Sequence, residues 1–166
     1  MWKSIESHFS RRSAGRTVVD AFLRYGLSVH PDGAVYCGPF EMAPAKIGRA
    51  LNVDRRVVIA TAKQIATHED LLSIFARLQP RASLGQAAAK LGFDTIEISA
   101  DAHAMGVVSD VTRLLCEHKL LIRQIIADDP DLFPDPKLTI VMGGHMPVKA
   151  LQALRKLPFA EKIAIS

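Results

Sequence analysis

The segment 44–58 constrains the fold of this chain more than any other, because its pattern predicts two short helices joined by a tight turn. Pro44 suits the first position of a helix, where its missing N–H costs nothing. Ile47, Ala50 and Leu51 follow at the i, i+3, i+4 spacing of one apolar helical face. A helix is therefore predicted to begin at Pro44 and to bury that face.

Asn52 and Asp54 predict where the first of these helices ends and the second begins. Asn52 tolerates the left-handed backbone conformation that terminates a helix. Asp54 is a favourable N-cap, since its carboxylate accepts a hydrogen bond from a free amide of the first helical turn. The apolar residues of the second helix are Val57, Val58, Ala62 and Ile65.

Two arginines, Arg55 and Arg56, open the second helix. In a helix-turn-helix, the N-terminal residues of the second helix lie against base edges in the major groove of DNA. DNA binding through these arginines is therefore the first hypothesis, and two helices that simply pack together are the alternative. Phosphate contacts are expected from Lys46, Arg49 and Lys63.

The charge of the chain is distributed unevenly. Residues 1–79 carry 11 Lys+Arg and 7 Asp+Glu, a net charge of +4, whereas residues 80–166 carry 10 of each sign. The positive excess therefore lies in the half that contains the two-helix segment. Basic surface neutralises phosphates and releases counterions, which is the sequence-independent part of DNA affinity. An excess of this size permits DNA binding without requiring it.

Composition excludes several classes of protein. Apolar residues make up 49% of the chain, which is typical of a folded protein rather than a disordered one. No run approaches the roughly 20 apolar residues of a membrane helix, and the N-terminus lacks the apolar core of a secretion signal. We therefore expect a cytoplasmic protein with no membrane partner.

No residues are arranged in a motif for catalysis or for metal binding. Cys37 and Cys116 are isolated and are predicted to be reduced. The histidines form no HExxH motif, and no nucleophile motif is present. The acidic residues of segment 128–136 are interrupted by prolines and lack EF-hand spacing, which predicts a solvated hairpin loop. We expect neither an enzyme nor a metal or cofactor site.

The rest of the N-terminal half predicts further helices and a hairpin. Ser13 or a neighbouring residue is expected to start a helix that Gly26 ends. The turn signal at 30–33 lies between two β-prone runs and predicts a hairpin ahead of the two-helix segment. Segment 69–78 predicts another helix. These elements define a helical domain over residues 1–79, with a small hairpin.

Residues 94–166 alternate between strand and helix patterns in the order βαββαβ. That order is typical of the ferredoxin-like split βαβ fold, in which two helices cover one face of a four-stranded antiparallel sheet. The predicted strands are 95–99, 120–127, 137–142 and 160–165, and the predicted helices are 107–118 and 147–157. The chain as a whole is therefore predicted to be α+β.

A linker over residues 80–93 joins the two predicted domains. Ser83 and Gly92 predict the start and the end of a short helix within it. The helix-free face of the predicted sheet also requires cover, which we expect from the N-terminal half or from a second subunit. A homodimer or larger assembly is therefore predicted.

The first strand–helix–strand passage of the second half resembles the ACT domain, a small regulatory module of amino-acid metabolism. The usual pattern is a strand, an acidic residue, a glycine that opens the helix, a Leu- or Val-rich helix and an Ile-rich second strand. Asp101, Gly106 and Ile122 match this pattern. Met105 replaces the proline often found before the glycine, and Lys119 replaces the glycine that usually ends the helix.

The whole chain resembles the archaeal predicted regulators of amino-acid metabolism, which join an N-terminal helix-turn-helix to a C-terminal ACT domain. The resemblance spans nearly all residues and includes the run 53–57 and the strand that begins Ile122-Arg-Gln. It implies an amino-acid-responsive transcription regulator with DNA as a partner. The alternative is an ACT-domain protein that regulates an amino-acid metabolic enzyme by protein contact, without binding DNA.

The glycine of this pattern predicts where an amino-acid effector binds. Gly106 lets the backbone approach a ligand closely, and the first-turn amides near Val107 and Val108 then face a carboxylate. Asp101 is the expected partner of the ligand's ammonium group, and Met105 enlarges the apolar wall. The alternative is structural: Gly106 relieves a tight turn, and Asp101 caps the helix.

Overall fold

The computed structural model describes residues 2–10, 12–101 and 104–166. The chain is α+β and divides into two compact units, residues 1–81 and 82–166. The first unit is mainly helical, and the second is built on an antiparallel sheet. No helix among the described residues is both long enough and apolar enough to cross a membrane.

The first unit contains five helices and a small three-stranded antiparallel sheet within the described residues. The helices are α1 (Trp2–His8), α2 (Ala14–Tyr25), α3 (Pro44–Leu51), α4 (Arg55–Thr67) and α5 (Glu69–Phe75). The strands, paired in chain order, are β1 (Ser28–Val29), β2 (Val35–Cys37) and β3 (Phe40–Glu41). Helix α1 has no counterpart among the predicted elements, and α5 ends at Phe75 rather than at Leu78.

Local capping signals place most of these helices. The Ser13 hydroxyl accepts a hydrogen bond from the Arg16 amide at 3.1 Å and caps α2. Gly26 ends α2 in the left-handed conformation, at φ 63°. Both predictions are confirmed. The apolar faces of α2, α4 and α5 then meet in one core, whose largest fully buried side chains are Phe22, Phe75, Ile5, Ile65, Leu71 and Val18.

The second unit has a 3₁₀ helix followed by alternating strands and helices. The 3₁₀ helix is Gly85–Leu91, and the remaining elements are β4 (Asp94–Ser99), α6 (Val107–Glu117), β5 (Ile122–Ala127), β6 (Lys137–Met142), α7 (Val148–Leu154) and β7 (Lys162–Ile165). The strand order is β5-β6-β4-β7, and every neighbouring pair is antiparallel. The predicted order of elements is confirmed.

Helices α6 and α7 pack on one face of this sheet. That face consists of alternate residues of the two central strands, Ile96 and Ile98 of β4 with Leu138, Ile140 and Met142 of β6. The helices contribute the buried residues Val111, Leu114, Leu115, Ala150 and Leu154. The apolar residues that alternate along the strands and those at helical spacing on α6 and α7 therefore pack together in a second core.

The opposite face of the sheet is covered in part by residues 82–93, which the sequence assigned to a linker. The Thr95 hydroxyl on this face donates a hydrogen bond to Gly85 O at 3.2 Å, and Val141 beside it is fully buried. The N-cap position of the 3₁₀ helix is Leu84, so the prediction of Ser83 as the cap is wrong.

The rest of this face is exposed or half-buried and is mixed in character, since Ile126 of β5 and Ala164 of β7 lie on it beside polar residues. It carries Glu97, Ser99, Lys137 and Lys162, and the Lys137 ammonium lies 3.2 Å from the Glu97 carboxylate. An antiparallel sheet commonly has one face in contact with water. Residues 82–93 supply part of the cover that the sequence argument required, and the homodimer stays a prediction.

Candidate functional site

The turn between α3 and α4 has a backbone geometry that stops one helix and redirects the chain into the next. Asn52 adopts the left-handed conformation, at φ 53° and ψ 43°. The Asn52 amide donates to Arg49 O at 3.4 Å, and the Val53 amide donates to Gly48 O at 2.9 Å. This pair of hydrogen bonds is the Schellman motif, and it confirms the predicted role of Asn52.

Gly48 allows the turn to fold closely against α3. A Cβ atom at this position would lie 2.8 Å from Val53 O and 3.2 Å from Arg55 N, so a side chain has no room. The sequence pattern does not single out Gly48, because a glycine inside a helix is compatible with many arrangements. Its position on the buried side of a short helix is the signal that indicates a close backbone approach.

Asp54 caps α4 as predicted. It has extended backbone angles, and its Oδ1 accepts a hydrogen bond from the Arg56 amide at 2.7 Å. The helix then begins at Arg55 and contains no acidic residue in its first turn. The positive end of the helix dipole and two guanidinium groups therefore lie together.

The five basic residues predicted to contact DNA are all solvent-exposed: Lys46, Arg49, Arg55, Arg56 and Lys63. Among the described residues, none of the five forms an ion pair. On α4, Arg56, Ala60, Lys63 and Thr67 follow the i, i+4, i+7, i+11 spacing of one helical face, and all four are exposed. We call this the basic face. Its two cations, Arg56 and Lys63, can bind an anionic partner, because neither forms an ion pair with another described residue.

The turn of the β1–β2 hairpin lies beside the basic face. A Cβ atom at Gly33 would be 3.5 Å from Cγ of Lys63, and the His30 ring stacks on Tyr36 with centroids 4.1 Å apart. The hairpin precedes α4 by many residues in the chain, so the sequence predicts the hairpin without predicting this neighbour. Any molecule bound along α4 near Lys63 would also meet the hairpin turn.

The second unit contains a cavity of about 130 Å³ where β4 and β5 end and α6 begins. Ile98, Val107, Val108 and Leu138 form apolar walls, and Asp101 lies at the rim. Three of the predicted ligand-binding residues, Asp101, Val107 and Val108, are therefore brought together. Asp128, Pro130 and Pro136 also line the cavity and come from the segment predicted to be a solvated loop.

Met105 and Gly106 do not line this cavity. The Met105 side chain is 92% exposed, so it is not part of the expected apolar wall. Gly106 is the N-cap residue of α6, at φ 86°. A Cβ atom there would meet Ser109 Oγ at 3.7 Å and Asp110 Oδ2 at 3.8 Å, which are ordinary contacts. The positive backbone angle favours glycine here, as the tight-turn alternative states, and the close approach to a ligand stays a prediction. Because the N-cap of α6 is Gly106 and no side chain forms a capping hydrogen bond there, the prediction of Asp101 as the cap is wrong.

The cavity has an uneven distribution of charge. Two of its residues, Asp101 and Asp128, carry carboxylates, and Lys137 is a lining residue with an ammonium group. A hydrogen bond to Glu97 is the main cause that raises the pKa of Lys137, and Asp135 and Asp128 add to the effect. That ammonium is bonded to Glu97, which is not a lining residue of the cavity.

A cluster of metal-ligating side chains is not found in the part of the chain that the structure describes. Groups of three or more His, Cys, Asp or Glu side chains arranged to hold an ion are absent among residues 2–10, 12–101 and 104–166. The strongest candidate sites are therefore the basic face and the cavity.

Comparison with known proteins does not assign a family. No family model matches the chain, and no curated protein matches it. A solved structure titled "Crystal structure of PH0061" is similar over 95% of this chain and 92% of that chain, with 8% sequence identity and a TM-score of 0.30. A likeness this weak assigns neither a fold nor a function.

Proposed function

We propose that this chain is an amino-acid-responsive regulator whose first unit binds DNA through α3 and α4. The observation that carries the proposal is the exposed pair of arginines at the start of α4, directly after a tight turn, which forms no ion pair within the part of the chain that the structure describes. In a helix-turn-helix this is the part of the second helix that reaches base edges. Arg55 and Arg56 then contact bases, and Lys46, Arg49 and Lys63 contact phosphates.

The location of the positive charge supports this proposal. Placing two guanidinium groups at the N-terminus of α4 costs roughly 0.3–1 kcal/mol per residue. Among the described residues no acidic side chain forms an ion pair with either arginine to offset that cost, and contacts with an anionic partner would offset it. The hairpin turn next to Lys63 adds a second element beside the surface that would face DNA.

The second unit supports an effector-binding role in the same proposal. Numbered within the unit, the strand order β5-β6-β4-β7 is 2-3-1-4, the order of the ferredoxin-like split βαβ fold to which ACT domains belong. The amides at the start of α6 would hold the carboxylate of an amino acid. Asp101 and Asp128 would face its ammonium group. We propose no catalytic role and no cofactor.

A DNA-binding titration tests the first part of the proposal. The change is Arg55→Ala with Arg56→Ala, measured by fluorescence anisotropy on a pool of labelled duplexes at two salt concentrations. The matched control is Arg155→Ala with Lys156→Ala, which removes the same charge from an exposed adjacent pair in the second unit. We expect weaker binding by about 1–3 kcal/mol per lost base contact for the first variant alone.

Three outcomes separate the possible functions. Equal binding by the wild type and both variants would reject α4 as the DNA-contacting helix. Equal weakening by both variants would indicate attraction by net charge alone. Absence of DNA binding by the wild type would favour the alternative, in which the first unit docks on an enzyme.

A thermal-shift screen of the twenty amino acids tests the second part. A ligand that binds the native state raises the midpoint of unfolding. The variant Val108→Arg would fill the mouth of the cavity at a residue that is already 42% exposed and would abolish that shift. Val148→Arg, at a 69% exposed residue of α7 outside the cavity lining, is the control. A shift retained in Val108→Arg would reject the cavity as the site.

A further inference from the structure

The chain is held by the first unit up to Pro80. A Cβ atom at Gly26 would lie 2.4 Å from Gln79 O and 2.8 Å from Pro80 N, and one at Gly38 would lie 3.6 Å from Pro80 Cγ. The backbone of residues 79 and 80 therefore packs directly on this unit. The left-handed glycine at the end of α2 provides the space for that contact.

From Ala82 to Leu84, the chain is fastened to the second unit by the side chain of Gln124. The Gln124 amide nitrogen donates a hydrogen bond to Ala82 O at 2.8 Å, and Gln124 Oε1 accepts one from the Leu84 amide at 2.8 Å. The side-chain amide thus acts as a peptide group would in a neighbouring strand. Arg81, an exposed residue, lies between the part of the chain that packs on the first unit and the part that Gln124 holds on the second.

The conformation of the segment after Leu84 is imposed by tertiary contacts. The 3₁₀ helix Gly85–Leu91 has seven residues, whereas runs longer than about 3–4 residues are uncommon. Its residues Gln86 to Leu91 are strong α-helix formers. Contact with the sheet, where Ala88 is fully buried and Gly85 lies against Thr139, therefore opposes the intrinsic preference of the segment.

We propose that residues 82–93 form a releasable covering segment, that Gln124 is the positioning residue that holds it on the sheet, and that its release lengthens the connection between the two units. When the segment is docked, the connection is Arg81. When it is released, the connection is residues 81–93, and each freed residue adds up to about 3.5 Å of reach. Docking therefore sets whether the two units are joined by a short tether or a long one.

Hydrogen exchange on the full chain tests this proposal, with Gln124→Ala compared with Gln86→Ala. Gln86 is an exposed glutamine of the same segment, so the control removes an equal side chain that does not hold the backbone. We expect Gln124→Ala to raise exchange of the amides of residues 84–92 by about tenfold or more, because two hydrogen bonds are lost. Amides of β4 and β6 should keep their protection. Cleavage by trypsin after Lys90, an exposed residue of the segment, should accelerate in parallel.

Two results would overturn the proposal. The first is equal exchange of residues 84–92 in Gln124→Ala and Gln86→Ala. The second is a rise in exchange that includes β4 and β6 to the same extent, because the segment would then unfold only together with the sheet. If Gln124→Ala does not fold, Gln124→Glu replaces it: it keeps the acceptor for Leu84 N, loses the donor to Ala82 O, and should give a smaller rise confined to the segment.

Discussion

Helices α4 and α6 begin in opposite ways. The N-terminus of α4 is capped by a carboxylate, since Asp54 accepts a hydrogen bond from the Arg56 amide. The N-terminus of α6 begins at Gly106, which has no side chain to accept one. Under the proposed function, recognition at α4 would depend on the exposed arginine side chains, whereas recognition at α6 would depend on the backbone amides of its first turn.

The glycines near the starts of α4 and α6 also differ, because each is required for a different reason. Gly48 beside the α3–α4 turn is required by space, because a Cβ atom there would clash with Val53 O. Gly106 is required by its backbone angle, with space to spare. A glycine near a candidate site therefore indicates a close approach only where the structure shows the neighbour.

The largest effect is expected for Gly48→Ala. Helix propensity alone predicts a gain of about 1 kcal/mol from this change, but the clash with the turn predicts a loss of about 1–3 kcal/mol instead. Chemical denaturation of the full chain, followed by a probe in the first unit, measures the sign. A stabilised variant would show that the turn is not packed against α3.

Gly106→Ala is expected to destabilise the second unit by about 1–2 kcal/mol, because a left-handed angle is unfavourable for a residue with a Cβ atom. Amino-acid binding should persist, since Gly106 does not line the cavity. Denaturation and thermal shift on the same variant measure both quantities. Loss of binding in a folded variant would restore the close approach that the sequence predicted at this glycine.

Asp54→Ala is expected to destabilise the first unit by about 1 kcal/mol, the usual effect of losing an N-cap. Asp54→Asn keeps an acceptor and should lose less, which makes it the matched control. Chemical denaturation distinguishes them. If both variants matched the wild type, the Asp54 hydrogen bond would contribute nothing measurable to the start of α4.

Unlike the changes above, Arg55→Ala with Arg56→Ala is not expected to lower stability. Removing two positive charges from the N-terminus of α4 should leave the free energy of unfolding unchanged or raise it by about 0.3–1 kcal/mol per residue. The same denaturation measurement tests this. A clear loss of stability would mean that the arginines are structural, and weaker DNA binding by this variant could then follow from damage to the fold.

Much of the fold was predictable because the relevant signals are local. Ser13, Gly26, Asn52 and Asp54 each bond to residues within five positions in the chain, so the sequence around them contains both partners. The βαββαβ order could likewise be predicted, because apolar residues alternate along the strands and recur at helical spacing in the helices. Helix α1 could not, because Ile5 is its one fully buried apolar residue among those whose burial is described, and one residue gives no periodicity.

The candidate sites were predictable in part. The five cations at α3 and α4 could be named because a helix face follows from residue spacing alone. The cavity could not be described in full, since Asp128 and Pro136 reach it from a loop that has no pattern of its own. Met105 was misplaced for a related reason: its exposure depends on how the chain between β4 and α6 folds, which nearby residues do not determine.

By itself, the sequence determined the elements whose caps and periodicity lie within a few residues of one another: the α3–α4 pair with its exposed basic face, and the order of strands and helices in the second unit. The tertiary structure alone decided the role of residues 82–93. These residues contact Gln124, Thr95 and Thr139, all of which lie outside the segment. The sequence of the segment alone therefore does not predict these contacts. Pairings between distant residues form only when the sheet brings them together, and this segment consequently covers the sheet in a conformation that its own residues do not prefer.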